Sequence, residues 1–239
     1  NLENLETNIK KAFSDSSAKA VAIIINSPGG SPVQSSLIYK RIRYFAEKKE
    51  LPILVFVEDV AASGGYWLAC AGDEIFADKS SIVGSIGVIS ASFGFVEAIK
   101  KIGIERRVYT SVKSKGSLDP FKPENPRDVK ILKKIQSNVH EVFVEHVKKR
   151  RGGKLHNKNN EIFSGAFWSG EDALQLGLID GIGEMRETLR MKFGKDIRIK
   201  IIANKRGFLS NLTQTLSDSF LNILMENYEN KTFWNRFGK

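Results

Sequence analysis

Two turns of this sequence set small and polar residues where a chemical step can be held. In Asp59-Val60-Ala61-Ala62-Ser63-Gly64-Gly65-Tyr66 an apolar strand runs into small residues and then into a helix. Ser63 falls at or near the N-terminus of that helix, where free N–H groups stabilise developing negative charge. Its small neighbours let a substrate backbone come close. The plainer role for such a serine is an N-cap. The other turn, Ser27-Pro28-Gly29-Gly30, also joins a strand to a helix. It is too short, and its spacing is wrong, for a P-loop or a dinucleotide turn. A backbone N–H of Gly29 or Gly30 paired with that of Gly64 would form an oxyanion hole. The plainer reading is an ordinary strand-to-helix turn.

A serine nucleophile needs a base. The chain has 3 histidines. His140 and His146 fall on one long helix and His156 in the polar loop after it, and all three read most simply as solvated. A Ser-His-Asp triad stays possible, because triads assemble from distant positions. A lysine serves equally well if burial lowers its pKa toward neutrality. The candidates are Lys113, Lys115 and Lys122, all in an irregular loop, and each also reads as a solvated lysine. Cys/His ligand spacing is absent, so neither a metal nor another cofactor is expected. Cys70 is the single cysteine, so no internal disulfide can form; it reads as a small buried apolar group.

The elements that must position these residues follow from apolar periodicity. Leu2–Phe13 is an amphipathic helix. Val21–Asn26, Pro52–Val57 and Glu74–Ala77 are short apolar runs that read as buried parallel strands. Val33–Lys49 is a helix, Asp59–Ser63 a turn and Gly64–Gly72 a short buried helix. Ser80–Ser90 is an apolar segment punctuated by glycine and serine, Phe95–Lys101 a helix and Ile104–Tyr109 a strand. Thr110–Pro126 is a long loop with three prolines, of the kind that is usually functional or mobile. A helix spans about 127–151, and further helices cover Glu171–Leu176 and Met185–Phe193, around a glycine-rich turn at Asp180–Gly183. Ile197–Ile202 alternates like an edge strand. Strand, turn, helix, strand in succession indicates an α/β fold with a mainly parallel sheet and flanking helices. Residues 1–202 are expected to form the main domain and 203–239 an amphipathic appendage carrying Phe208, Leu212, Leu216 and Phe220 on one face.

Composition narrows the field. With 239 residues, 41% hydrophobic and 27% charged, the chain is of globular type. No run of about 18 apolar residues is present to span a bilayer. The chain opens on Asn1 and shows no signal-peptide pattern, so it reads as processed or truncated, with any anchor lying upstream. The net charge of +10 is spread along the chain. Without a zinc knuckle, an RNP-type motif or an Arg-rich arm, it does not point to nucleic acid.

The segment Asn26-Ser27-Pro28-Gly29-Gly30, then Val60-Ala61-Ala62-Ser63-Gly64-Gly65-Tyr66, then Gly84-Ser85-Ile86-Gly87-Val88 resembles the signal peptide peptidase A / SohB family of serine peptidases. Phe167-Trp168-Ser169-Gly170, Ala173 and Gly177-Leu178-Ile179-Asp180 resemble that family's downstream signature. The resemblance covers roughly residues 20–185. It implies a ClpP/crotonase-like fold of repeated ββα units. ClpP carries a histidine in the region near Val88, where this chain has none, which favours a Ser/Lys dyad. Family spacing puts the lysine on Lys115, within Thr110-Ser111-Val112-Lys113-Ser114-Lys115, a segment that resembles the family's Thr-Ala-Gly-Lys-Tyr-Lys. Val112 and Ser114 depart from it, and Lys113 stays as the alternative base.

The resemblance also implies that Ser85 hydrogen-bonds the lysine, that the enzyme assembles into homo-oligomers, and that it works at a bacterial inner membrane. Its substrates would be hydrophobic peptides such as released signal peptides. Val60, Ile86 and Val88 are expected to line a slot for small or apolar side chains. The competing readings are a catalytically silent membrane-associated scaffold and a crotonase-like acyl-CoA enzyme.

Overall fold

The computed structural model describes residues 1–112, 114–156 and 160–202. The expected appendage 203–239 lies outside them. The chain divides into two compact units, one made of Asn1–Ile86 with the segment from Val144 onward, the other of Gly87–Phe143.

The first unit begins with helix α1 (Leu2–Ala12), started by Asn1, whose side chain accepts from the Asn4 amide. Strand β1 (Val21–Ser27) follows. The Ser31 side chain then accepts from the Gln34 amide, and Pro32 opens helix α2 (Pro32–Lys49), as expected at a first helical position. Strand β2 (Ile53–Ala62) is the centre of the sheet. Its run of β-branched and aromatic residues is buried on both faces, as a central parallel strand requires. Short helix α3 (Gly64–Ala69) leaves its end. Strands β3 (Glu74–Ala77) and β4 (Ile82–Gly84) come next.

In the second unit lies helix α4 (Val96–Lys101). The Phe95 amide donates to Pro120 O at 2.7 Å, the Phe95 and Phe121 rings stack at 5.4 Å, and Arg106 sits over Phe121 at 5.0 Å. Helix α5 (Pro126–Arg151) runs from this unit into the first. A 3₁₀ turn, strand β5 (Phe167–Ser169), helix α6 (Gly170–Gln175), strand β6 (Gly181–Ile182) and helix α7 (Met185–Phe193) complete the described elements.

The sheet is mainly parallel. β1 pairs with β2 on one side. On the other side the two halves of β2 take different partners: Leu54–Val57 pair with β3, and Val60–Ala62 with β4. β6 pairs with β3 in parallel, and among the described strands β5 alone runs antiparallel, against β4. The change of partner is made at Glu58–Asp59, two exposed residues inside an otherwise buried strand. There the β1–β2 register shifts, from Ile25↔Val57 to Ser27↔Ala61. The extra residues curl the strand and carry its end to the turn that holds Ser63. On one face Leu54, Phe56, Phe76 and Leu189 form a core cluster, with the rings of Phe56 and Phe76 stacked at 5.3 Å.

Three local expectations need correction. Asp59–Ser63 is not a turn, because β2 continues to Ala62 with its bulge inside it. Ile104–Tyr109 and Ile197–Ile202 are irregular rather than strands. Their alternation suits a pleated edge, but among the described residues no strand pairs with either. Conversely, the turn expected at Asp180–Gly183 contains β6, which is defined by its partner β3. No described helix is long and apolar enough to cross a membrane.

Candidate active site

Ser63 stands alone between the end of β2 and the start of α3. Its backbone has φ 50° and ψ −120°, a combination costly for an L side chain and one that persists only where the surroundings enforce it. They do so from both sides. Its N–H donates to Gly84 O at 2.8 Å, and its carbonyl accepts from the Trp67 N–H at 3.0 Å. Ser63 holds the N-cap position of α3, yet its side chain makes no capping bond. The hydroxyl is therefore not used up in starting the helix. The side chain is half-buried.

The Ser27–Gly30 turn packs directly against it. At Gly29 (φ +121°) a Cβ would lie 2.9 Å from Ser63 Cβ and 3.1 Å from Gly64 N, so only glycine fits. The Ser27 hydroxyl accepts the Gly29 N–H at 3.2 Å. That leaves the Gly30 N–H as the amide of the pair with no acceptor among the described residues. Gly30 N is also the neighbour of Gly64, 3.2 Å from where a Gly64 Cβ would stand. The Gly64 N–H is one of the donors a helix N-terminus leaves open. A strained serine and two neighbouring free amides are the parts that acyl transfer requires.

Below the turn, α3 is fixed by buried polar bonds. Tyr66 Oη donates to Leu178 O at 2.7 Å, and burial raises this phenol well above its ordinary pKa. Arg151, 2% exposed, donates to Asp180 Oδ2 at 2.6 Å and twice to Gly177 O. Asp180 also accepts from the Ile75 amide and from Lys154 Nζ. Burial pushes the Asp180 carboxyl up, but its bonds to Arg151 and Lys154 outweigh this and hold it below its ordinary value.

His146 corrects the reading of solvated histidines. Its ring stacks on Trp67 at 4.7 Å and meets the Tyr39 ring edge-on at 4.3 Å. A carbonyl can only accept, so the contact with Trp67 O at 3.1 Å makes Nε2 the protonated nitrogen. Burial lowers its pKa to about 4. It braces α3 through Trp67. His140 is half-buried and His156 exposed.

The structure gathers Ser63, Gly64, Gly29 and Gly30 in the first unit, together with Ser85. Ser85 is buried, has φ 52°, and donates its N–H to Ala166 O at 2.7 Å. Val60 (1% exposed) and Ile86 (0%) are closed over, so the expected slot offers no surface at these two positions. Val88 is half-buried and belongs to the second unit, as do Lys115 and Lys122, both exposed. Lys115 lies in a turn closed by its N–H to Val112 O at 3.2 Å. Lys113 is outside the described residues. Among these, no group of three or more His, Cys, Asp or Glu side chains is placed to hold a metal. The sequence reading missed the Ser27 hydroxyl, although a serine two residues before a glycine amide is an ST-turn pattern. The Arg151–Asp180 pair gave no local signal.

Comparison with known proteins adds an independent line. A family profile described as Peptidase family S49 matches residues 46–197, a span containing Ser63 and Lys115. A Brucella abortus protein named Na(+)/H(+) antiporter NhaA is 51% identical over 96% of this chain and 33% of its own length. Protease 4 of Haemophilus influenzae is 33% identical over 76% of this chain and 29% of its own. The chloroplastic serine protease SPPA of Arabidopsis thaliana is 31% identical over 78% and 27% respectively. The chain thus spans about a third or less of these relatives.

Proposed function

Because this chain belongs to peptidase family S49, a family of serine proteases, we propose that it is an endopeptidase whose nucleophile is Ser63 and whose base is Lys115. The observation that carries the reading is the enforced backbone of Ser63, with a hydroxyl spared from capping and the Gly30 and Gly64 amides alongside. In the proposed mechanism the Lys115 amine takes the Ser63 proton as Oγ attacks the peptide carbonyl. The oxyanion is bound by the Gly64 and Gly30 N–H groups. The Lys115 ammonium then protonates the leaving amine, and water hydrolyses the acyl-enzyme. Ser85 helps to hold the lysine.

The substrates are hydrophobic peptides, in keeping with the name of an Enterococcus faecium relative, "Putative signal peptide peptidase SppA", 31% identical over 79% of this chain and 54% of its own length. The proposal includes work at a membrane, supported by the transporter name of the Brucella relative and by the +10 net charge, which favours anionic lipid. It also includes self-association, which sedimentation tests directly: a strictly monomeric, fully active chain would remove that part. For the chemistry, hydrolysis of an internally quenched Leu/Val-rich peptide is measured for wild type, Ser63→Ala and Lys115→Ala. Ser63→Ala is expected to be inactive and Lys115→Ala to lose roughly 10²- to 10⁴-fold. Wild-type turnover in either variant would refute the corresponding role.

A further inference from the structure

The strained nucleophile rests on Gly84, and what holds Gly84 is an aromatic ring. Gly84 ends β4 and accepts the Ser63 N–H at 2.8 Å. It is itself at φ +114°, and a Cβ on it would stand 2.7 Å from Trp168 Cε3 and 2.8 Å from Cζ3. The ring therefore lies directly on the Gly84 backbone, with no space between. On the next strand Trp168 pairs with Val83, and Phe167 with Gly84, in the antiparallel β4–β5 pair. Just beyond, the Ser85 N–H is tied to Ala166 O at 2.7 Å. The end of β4 is thus held at two points by β5 and the residue before it.

We propose that Trp168 is a positioning residue for Ser63, acting through Gly84. The reasoning is geometric. A residue at φ 50° and ψ −120° returns to a more comfortable conformation unless its neighbours prevent it. The hydrogen bond that prevents it ends on Gly84 O, and glycine, without a side chain, cannot fix its own peptide plane. The Trp168 ring fills the space on the side-chain face of the Gly84 Cα, which limits how far that residue can turn. This inference rests on the assignment of Ser63 as nucleophile. Displacing a reacting atom by about 1 Å can cost about 10²-fold in rate without weakening substrate binding, so the effect belongs in kcat rather than KM.

The experiment compares Trp168→Ala, Trp168→Leu and Trp168→Phe in the full chain. Active sites are titrated with a fluorophosphonate, and turnover of an internally quenched Leu/Val-rich peptide is expressed per titrated site. This removes any contribution from unfolded protein. Trp168→Ala is expected to lose about 10- to 100-fold in kcat with KM within about 2-fold, and Trp168→Phe, which keeps a six-membered ring, to recover most of it. If the alanine variant does not fold, the other two decide: Leu should lose kcat where Phe keeps it. Wild-type kcat per site in the Ala or Leu variant overturns the proposal, and so does a loss that Phe fails to restore. Ser63→Ala is run alongside. If it retains activity, the nucleophile assignment falls; if it is inactive while the Trp168 variants turn over like wild type, only the role of Trp168 falls.

Discussion

Replacing Gly29 by alanine tests the contact between the two turns, and its effect can be worked from the coordinates. At φ +121° an alanine backbone sits in a region used almost only by glycine, at about 1–3 kcal/mol. The new Cβ would stand 2.9 Å from Ser63 Cβ and 3.1 Å from both Ala62 O and Gly64 N. Favourable carbon contacts lie near 3.5–4.0 Å, and overpacking of this kind costs about 1–3 kcal/mol. A stiffer unfolded chain returns about 0.4–1 kcal/mol. The net loss is therefore about 1–6 kcal/mol, and at about 2–4 °C per kcal/mol for a chain of this size the Tm falls by about 2–24 °C. Gly30→Ala is the control. Its φ of +151° imposes a similar backbone penalty, but a Cβ there meets nothing within 4 Å. Thermal denaturation of both variants isolates the contact: Gly29→Ala should be the less stable by about 1–3 kcal/mol. Gly29→Ala should also react more slowly with a fluorophosphonate, because the clash is relieved only by moving Ser63 or its neighbours. Equal Tm values with wild-type reactivity in Gly29→Ala would refute the reasoning.

Other parts of the scaffold give further expectations. Arg151→Met removes the buried partner of the half-buried Asp180 carboxylate, which keeps Lys154 and the Ile75 amide, and should remove about 1–3 kcal/mol, read as a fall in Tm; an unchanged Tm would show that the pair is not holding the fold. Because His146 is held neutral in the folded chain, with a pKa lowered to about 4, the unfolded chain binds the extra proton first. Its contribution to stability is complete above about pH 6.5 and lost progressively as the pH falls toward about 4. Chemical denaturation across this window should show the slope, and His146→Gln should flatten it. Burial pushes the Cys70 thiol up to about 12, so iodoacetamide should modify it only after unfolding; rapid labelling of the native chain would contradict its burial.

The sheet's long strands were legible because β1, β2 and β3 are apolar runs that no surface element would carry. The three shortest strands, β4, β5 and β6, were not. Phe167–Ser169 and Gly181–Ile182 are strands only by virtue of the partners that the fold brings to them. The same limit explains Ile104–Tyr109 and Ile197–Ile202, whose alternation has no described partner to meet. At the site, residue type and order pointed to Ser63 and both glycine turns, but they could not separate a nucleophile from an N-cap. What bears on that choice, the φ and ψ of Ser63 and the capping bond its side chain does not make, is geometry that sequence does not carry. Nor could spacing tell Gly29 from Gly30; that the Ser27 hydroxyl occupies the Gly29 amide appears only in the folded turn. His146 was misread because its helix periodicity places it on a face without saying what that face meets. Family resemblance supplied Lys115 where the residues alone left three lysines open.

Labelling with a fluorescent fluorophosphonate, wild type beside Ser63→Ala, Lys115→Ala and Lys113→Ala, tests the central claim most directly. The account predicts labelling that is lost in Ser63→Ala, strongly reduced in Lys115→Ala and preserved in Lys113→Ala. Labelling of Ser63→Ala at the wild-type level would contradict the nucleophile, and a fully labelled Lys115→Ala beside an unlabelled Lys113→Ala would contradict the base.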